Sequence, residues 1–305
     1  MVVLRALKLG DLLVAVPALH GLRRAFPEHR IRYAAPAWLG PVVDLVGGLE
    51  LLDTPGLDVP ISLPPGVVDI AVNLHGKGPE SRTRLDALQP RRRLGHRWDG
   101  PGHCWDGPAW LDGLHQRERW TRLLQWHGIA ADPDDVRLEQ ARPSPRPGAV
   151  VVHPGAAHGS RRWPTERFAR VAAALSRGGH DVVVTGSSNE QPLALAVAEQ
   201  AGLGDDAVLA GSADLGEMAA LVAEAEAVVS ADTGAAHLAS AYGRPSVVIF
   251  GPAPVAEWGP PPGPHIVLTD ESQRRGDVFA ETPDPALLAV QVDDVLAALE
   301  SLGIL

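Results

Sequence analysis

The sequence predicts an α/β protein of two doubly wound parallel sheets, on three observations. Short β-branched runs alternate with stretches of helical spacing along the whole chain, which is the pattern of parallel βαβ units. A break with three prolines and a glycine, Ala141-Arg142-Pro143-Ser144-Pro145-Arg146-Pro147-Gly148, splits the alternation into two series, because proline withholds the N–H that helix and central strand both need. With 305 residues and 45% hydrophobic composition, the chain can bury two cores of ordinary domain size. The domains are placed at 1–142 and 149–292, each Rossmann-like, with the carboxyl ends of both strand sets around a central cleft. The last segment, 293–305, is read as a helix that packs back on the N-terminal domain, with Asp293 as its N-cap.

In the first series, 2–7 reads as a strand, and Leu12, Val16, Leu19, Leu22 and Phe26 give helical spacing over 12–26. Strands at 31–35 and 67–74 follow, with helices at 39–45 and 80–88. From Arg91 to Gly128 the rhythm breaks, and 96–114 reads as a long irregular loop of the kind that often covers a binding site. Trp120 and Trp126 are read as core on a helical run from Arg117, whereas Trp98, Trp105 and Trp110 are candidates to stack on a sugar face. The second series reads as strands at 149–153, 181–185, 207–209, 227–230 and 245–250, with helices at 165–177, 190–201, 215–224 and 234–242.

Charge and cysteine narrow the function. Twenty-seven basic against 37 acidic residues give a formal charge of −10, which disfavours nucleic acid and anionic lipid surfaces as partners. Cys104 is the only cysteine, so no intrachain disulfide or CxxC metal knot can form, in keeping with a cytoplasmic location. Arg5 and Lys8 precede an apolar run, but Gly10-Asp11 interrupts it and helical periodicity follows, which argues against a secretory leader. No run of 18 apolar residues occurs. Twelve histidines include no HExxH, so no metal site is expected, and Asp132-Pro133-Asp134 reads as a solvated turn. Gly76-Lys77-Gly78 lacks the rest of a P-loop or dinucleotide fingerprint and reads as a strand-to-helix turn facing the acceptor.

Three strings sit where strands end. The run 227–231 passes through Asp232-Thr233-Gly234 into a helix of small residues carrying His237, so backbone N–H groups and a positive helix end converge on one point suited to phosphate. Asp232 or Thr233 as a plain helix cap is an equal reading of that string alone. After the strand at 149–153 comes His153 to Pro164 with Arg161 and Arg162; Arg161 is the candidate for a diphosphate, since a guanidinium fork matches phosphate oxygens. Arg162 reads as solvated, with Trp163 as a core anchor. Lys8-Leu9-Gly10-Asp11 ends the first strand. Spacing alone favours Asp11 as an N-cap, yet a carboxylate there is also placed to take a proton from a bound hydroxyl.

Lys8 to Asp11 with Pro17-Ala18-Leu19, Pro154-Gly155 to Arg161-Arg162-Trp163-Pro164, Leu215 to Leu221, Asp232-Thr233-Gly234-Ala235-Ala236-His237 and Phe250-Gly251-Pro252 occur in the order and spacing of glycosyltransferase family 9. The chain resembles ADP-heptose:lipopolysaccharide heptosyltransferases over nearly its whole length. The resemblance implies a GT-B fold and inverting transfer of a heptose from a nucleoside-diphosphate donor, ADP-heptose, without a metal cofactor. It implies Asp11 as the general base and Asp232, Thr233, Gly234 and His237 as the donor-binding turn. Glu190 matches an acidic residue suited to ribose hydroxyls. Arg161 stands where many members carry a lysine at the donor phosphates, which keeps the charge and alters the geometry.

The acidic balance departs from what a membrane-borne anionic acceptor calls for. The expected acceptor is therefore a soluble glycoside or small molecule lying near His75, Lys77, Trp98 and Trp105, on an enzyme that is monomeric and has no stable membrane anchoring. Two rivals share the fold pattern: a nucleotide-sugar 2-epimerase, which consumes donor without acceptor, and a non-catalytic nucleotide-sugar-binding module. No string reads the acceptor, the heptose stereoisomer or the base of the donor.

Overall fold

The structure, a computed structural model, describes the whole chain except residues 101, 103, 140 and 141, so the first residue of the expected linker and two positions of the 96–114 loop lie outside the described residues. The chain divides into two compact units, Met1–Glu139 and Gln140–Leu305.

Unit one holds the strands β1 (Val2–Leu4), β2 (Arg32–Ala35), β3 (Glu50–Asp53), β4 (Ile70–Asn73) and β5 (Arg92–Leu94), and the helices α1 (Leu9–Leu13), α2 (Val16–Ala25), α3 (Gly40–Val46), α4 (Pro79–Asp86) and α5 (Gln116–Trp126). Its sheet runs in the order β3-β2-β1-β4-β5, with every pair parallel. The single helix expected over 12–26 is instead two. α1 starts earlier, at Leu9, and Pro17 then enforces a break, because it has no N–H and its ring opposes the carbonyl of Leu13. The chain reforms a helix around Ala15, whose carbonyl accepts from the N–H groups of Ala18 and Leu19. The loop 96–114 is irregular among its described residues, apart from one antiparallel bridge, Trp98 to Trp105.

Unit two holds β6 (Val150–His153), β7 (Val182–Val184), β8 (Ala227–Ala231), β9 (Ser246–Ile249) and β10 (His265–Leu268), ordered β10-β9-β8-β6-β7 and again parallel. Its helices are α6 (Thr165–Arg177), α7 (Gln191–Ala201), α8 (Leu215–Ala223), α9 (Gly234–Ala241), α10 (Val255–Trp258), α11 (Pro285–Ala289) and α12 (Val292–Ser301). The expected strand at 207–209 survives as one bridge, Val208 to Val184, outside β7. Counting it, the strands lie in the order third, second, first, fourth, fifth and sixth along the unit, as in dinucleotide-binding doubly wound sheets.

The last helix corrects the sequence reading of its cap. Gln291, not Asp293, precedes its first residue, and Asp294 reaches back to the Gln291 N–H at 2.8 Å. Its apolar residues Val295 and Leu299 join the core of unit two with Val150, Phe168 and Leu175. Those apolar residues are thus part of the core of unit two.

Each sheet has a point where the chain's winding reverses. In unit one it lies between β1 and β4, and in unit two between β6 and β8. Ligands of doubly wound sheets bind outside the carboxyl ends of the strands at such points.

Candidate functional site

In unit one, β1 and β4 end in Arg5, Asp11 and His75. Arg5 is a cation at the end of an apolar strand and is only 2% exposed, which is tolerable because its donors are used. Nη2 donates to Asp11 Oδ1 at 2.8 Å, Nε to the Asp11 carbonyl at 2.5 Å, and Nη1 to the Leu74 carbonyl, while the guanidinium lies 4.7 Å from the Trp120 ring centre. Asp11 is the third residue of α1 and not its N-cap; among the described residues its Oδ2 meets only the Lys8 N–H, at 3.4 Å, and its side chain keeps 24% exposure. His75 lies in the same charge environment: burial, reinforced by Arg5 and opposed by Asp11 and Glu80, pulls it down to about 4. It is therefore neutral at pH 7, and its buried Nδ1 has no hydrogen-bond partner among the described residues.

The tryptophans of the loop serve unit one differently from expectation. Trp105 is 1% exposed in the core with Leu4 and Ala71, and its indole N–H points to Asp86 Oδ2 at 3.4 Å. A ring so enclosed has no face for a sugar, so it leaves the acceptor set. Trp98 is half-buried, with the Arg82 guanidinium 4.9 Å over its ring. Lys77 is exposed and paired with Asp112 at 3.0 Å. Trp120 is core as expected, but Trp126 is 49% exposed because its side of α5 faces solvent.

In unit two, the loops after β6 and β8 meet. Asp232 is nearly enclosed, and each of its oxygens addresses a different side chain: Oδ2 faces Arg161 Nη1 at 3.3 Å, and Oδ1 faces His237 Nε2 at 3.7 Å. Of the two helix-cap readings of the Asp-Thr-Gly turn, the structure puts Thr233 at the N-cap position. Asp232 turns to Arg161 and His237, and Thr233, at the N-cap, makes no side-chain capping bond. The buried Thr233 and Ser230 hydroxyls and Arg161 Nε have no hydrogen-bond partner among the described residues. Unmet buried donors beside an uncapped helix start suit an anion with several acceptor oxygens. Asp232 thus contacts both Arg161 and His237.

Glu190 sits one loop away, after β7. Burial pushes its carboxyl up, but the Ser187 N–H and hydroxyl, both at 2.8 Å, together with His153 and Arg162, more than offset this and hold it below its ordinary range. Gly155 makes the approach possible, since a Cβ there would lie 2.4 Å from the Glu190 carboxyl carbon. His153 is held below its ordinary value by burial, with Glu190 opposing, and it contacts the Thr185 hydroxyl at 3.1 Å.

Sequence reasoning missed Arg5, Ser187 and Gly155 as parts of these sites. Arg5 carried a signal, because one cation inside an otherwise apolar strand run demands a partner. Ser187 and Gly155 act through contacts that no local pattern encodes. Among the described residues no group of three or more His, Cys, Asp or Glu side chains gathers as a metal site would require.

The model of glycosyltransferase family 9 (heptosyltransferase) matches residues 114–275, more than half of the chain. The chain belongs to glycosyltransferase family 9. Among curated relatives it is similar to lipopolysaccharide heptosyltransferase 2 of Salmonella typhimurium, with 32% identity over 181 residues, covering 55% of this chain and 49% of that protein. The match thus spans about half of the relative's length. Among solved structures it is similar to a family 9 glycosyltransferase from Veillonella parvula, with a TM-score of 0.79 at 22% identity, covering 99% of this chain and 96% of the other. It is also similar to ADP-heptose lps heptosyltransferase II of E. coli, with a TM-score of 0.77 at 21% identity over 99% and 97% of the two chains. This family 9 chain shares their GT-B fold.

Proposed function

We propose that the protein transfers a heptose from a nucleoside-diphosphate donor, ADP-heptose, to an acceptor hydroxyl with inversion and without a metal. The observation that carries this is a coincidence of position. The family's base and donor strings fall at the two places where a doubly wound sheet binds ligands, the β1/β4 and β6/β8 strand ends. Asp11 takes the acceptor proton as the acceptor oxygen attacks the anomeric carbon, and the diphosphate leaves. Arg161, His237, Thr233 and the N–H groups opening α9 at Gly234 receive the charge that develops on it. Glu190 accepts from ribose hydroxyls. His75, Lys77 and Trp98 border the acceptor.

The acceptor in this proposal is soluble, in line with the formal charge of −10. The lipopolysaccharide enzymes among its relatives favour a membrane-borne acceptor as the second reading. Sedimentation with anionic lipid vesicles at physiological salt separates the two, since tight binding sinks the soluble acceptor. The enzyme is proposed to act as a cytoplasmic monomer, with turnover unchanged by EDTA.

The test of the transfer itself is mass spectrometry of the purified protein incubated with ADP- or GDP-heptose and pooled cell metabolites. A heptose-sized mass gain in one pool component supports the proposal. Donor consumed equally without acceptor points to an epimerase, and binding without turnover points to a binding module.

A further inference from the structure

We infer that Arg5 is a positioning residue that grips one carboxylate oxygen of Asp11 and thereby presents the other to the acceptor hydroxyl, an inference that rests on the transferase reading above. Arg5 lies at the end of β1, 2% exposed, where a guanidinium out of water is costly unless its donors find acceptors. Its three hydrogen bonds among the described residues go to one corner. Nη2 holds Asp11 Oδ1 at 2.8 Å, Nε holds the carbonyl of the same residue, and Nη1 holds the carbonyl of Leu74 just past β4.

Gripping both the side chain and the main chain of Asp11 fixes the carboxylate plane as well as its position. The grip also ties the exits of β1 and β4 together, on either side of the switch point. The guanidinium lies 4.7 Å from the Trp120 ring centre, and Tyr33, fully buried on β2, senses the charges of Arg5 and Asp11, its phenol kept protonated by burial. Arg5 is therefore set before substrate arrives. Asp11 Oδ1 is committed to it, whereas Oδ2 has, among the described residues, only the long contact to the Lys8 N–H at 3.4 Å.

In the transfer step the acceptor O–H bond breaks and its proton passes to Asp11 Oδ2. The oxygen's electron pair forms the bond to the anomeric carbon, and the bond from that carbon to phosphate breaks with its electrons leaving on the nucleoside diphosphate. Arg5 gives up no proton in this sequence. A lysine at position 5 would keep the charge but not the fork, since one ammonium cannot place planar N–H groups on three acceptors at once.

The experiment follows ADP release from ADP-heptose in the presence of the metabolite pool for wild type, Arg5→Lys, Arg5→Ala and Asp11→Asn, with ADP affinity and melting temperature measured for each. Arg5→Lys is expected to melt near wild type and lose roughly tenfold or more in kcat, while KM for ADP-heptose and affinity for ADP stay within about twofold. Arg5→Ala is expected to fall further and to regain activity with added guanidinium, which does nothing for Asp11→Asn. If Arg5→Ala does not fold, the Arg5→Lys split between kcat and KM decides alone. Wild-type kcat in Arg5→Lys overturns the positioning role, as does equal loss in kcat and ADP affinity. Wild type that releases no ADP counts against the transferase reading itself, whereas an active wild type with an indifferent Arg5 sinks only this inference.

Discussion

At Asp11 the two carboxylate oxygens live in different surroundings: one is held by a buried arginine, and the other is nearly free at a strand end that keeps 24% exposure. That asymmetry is what a base needs, because the reacting oxygen must face its substrate while the rest of the group stays put. Asp11→Asn keeps the shape and the Arg5 contact but cannot take the proton. Turnover is expected to fall by roughly 10²–10⁴, the usual contribution of general-base catalysis, with ADP affinity unchanged by calorimetry. A variant with normal turnover removes Asp11 from the role.

A second residue, His96, makes the fold sensitive to acid. It lies between Trp110 and Trp120, at 4.9 and 5.8 Å between ring centres, and burial, then Arg119 and Arg82, pulls it down to about 3. The sign follows from comparing this with about 6.5 for an unfolded histidine. Between those two values the unfolded chain binds the extra proton, so stability is lost as pH falls below about 6.5, by roughly 1–2 kcal/mol at pH 5. His75, lowered to about 4, adds in the same direction. Urea midpoints at pH 8 and pH 5 are expected to converge in His96→Phe relative to wild type, and an unchanged acid loss contradicts the assignment. Of these residues, Asp11 and His75 follow strands that the sequence shows, although spacing alone reads Asp11 as an N-cap and only the family resemblance marks it as a base. His96 was not legible, since its titration depends on rings brought together by the fold.

Among elements, the legible ones share a physical property. Central strands β1, β4, β6, β8 and β9 are enclosed on both faces, so their apolar runs stand out, whereas β3, β5 and β10, which the sequence reading lacked, all lie at sheet edges. Arg92 and Arg93 in β5 show why: an edge strand can carry polar side chains and loses the apolar signal. The turn that carries Arg161 was legible as a motif, but its support was not. The segment from Arg275 to Asp284 lies over it, with the Ser160 N–H bonded to the Ala280 carbonyl at 2.8 Å and the Asp284 N–H to the Ser160 carbonyl at 3.0 Å. Gly159 admits this close approach, because a Cβ there would sit 1.6 Å from the Glu281 carbonyl oxygen. Backbone cannot rotate away as a side chain can. Gly159→Ala is therefore expected to cost about 1–3 kcal/mol in urea unfolding, as overpacking does, and to weaken ADP binding by displacing Arg161. Wild-type stability in that variant would mean the segment is loosely held.

For the molecule as a whole, the question is whether donor recognition belongs to one unit or requires both. Every group assigned to the nucleotide, namely Arg161, Glu190, Thr233, Gly234 and His237, lies in Gln140–Leu305, as do two residues that contact them, Asp232 and Ser187. That unit also has its own core, which runs from Val150 through Phe168 and Val229 to Leu299 and takes in the last helix. Because α12 is packed there, a fragment cut in the proline-rich stretch keeps these core residues together. A fragment spanning 143–305 is accordingly expected to fold with a cooperative transition and to bind ADP within about threefold of the full chain, a difference below 1 kcal/mol. It should transfer no heptose, because Asp11 and Arg5 are absent. Calorimetric titration of fragment and full chain with ADP makes the comparison. If the folded fragment does not bind ADP, the nucleotide's affinity depends on unit one, and the assignment of the donor site to the second sheet has to be given up.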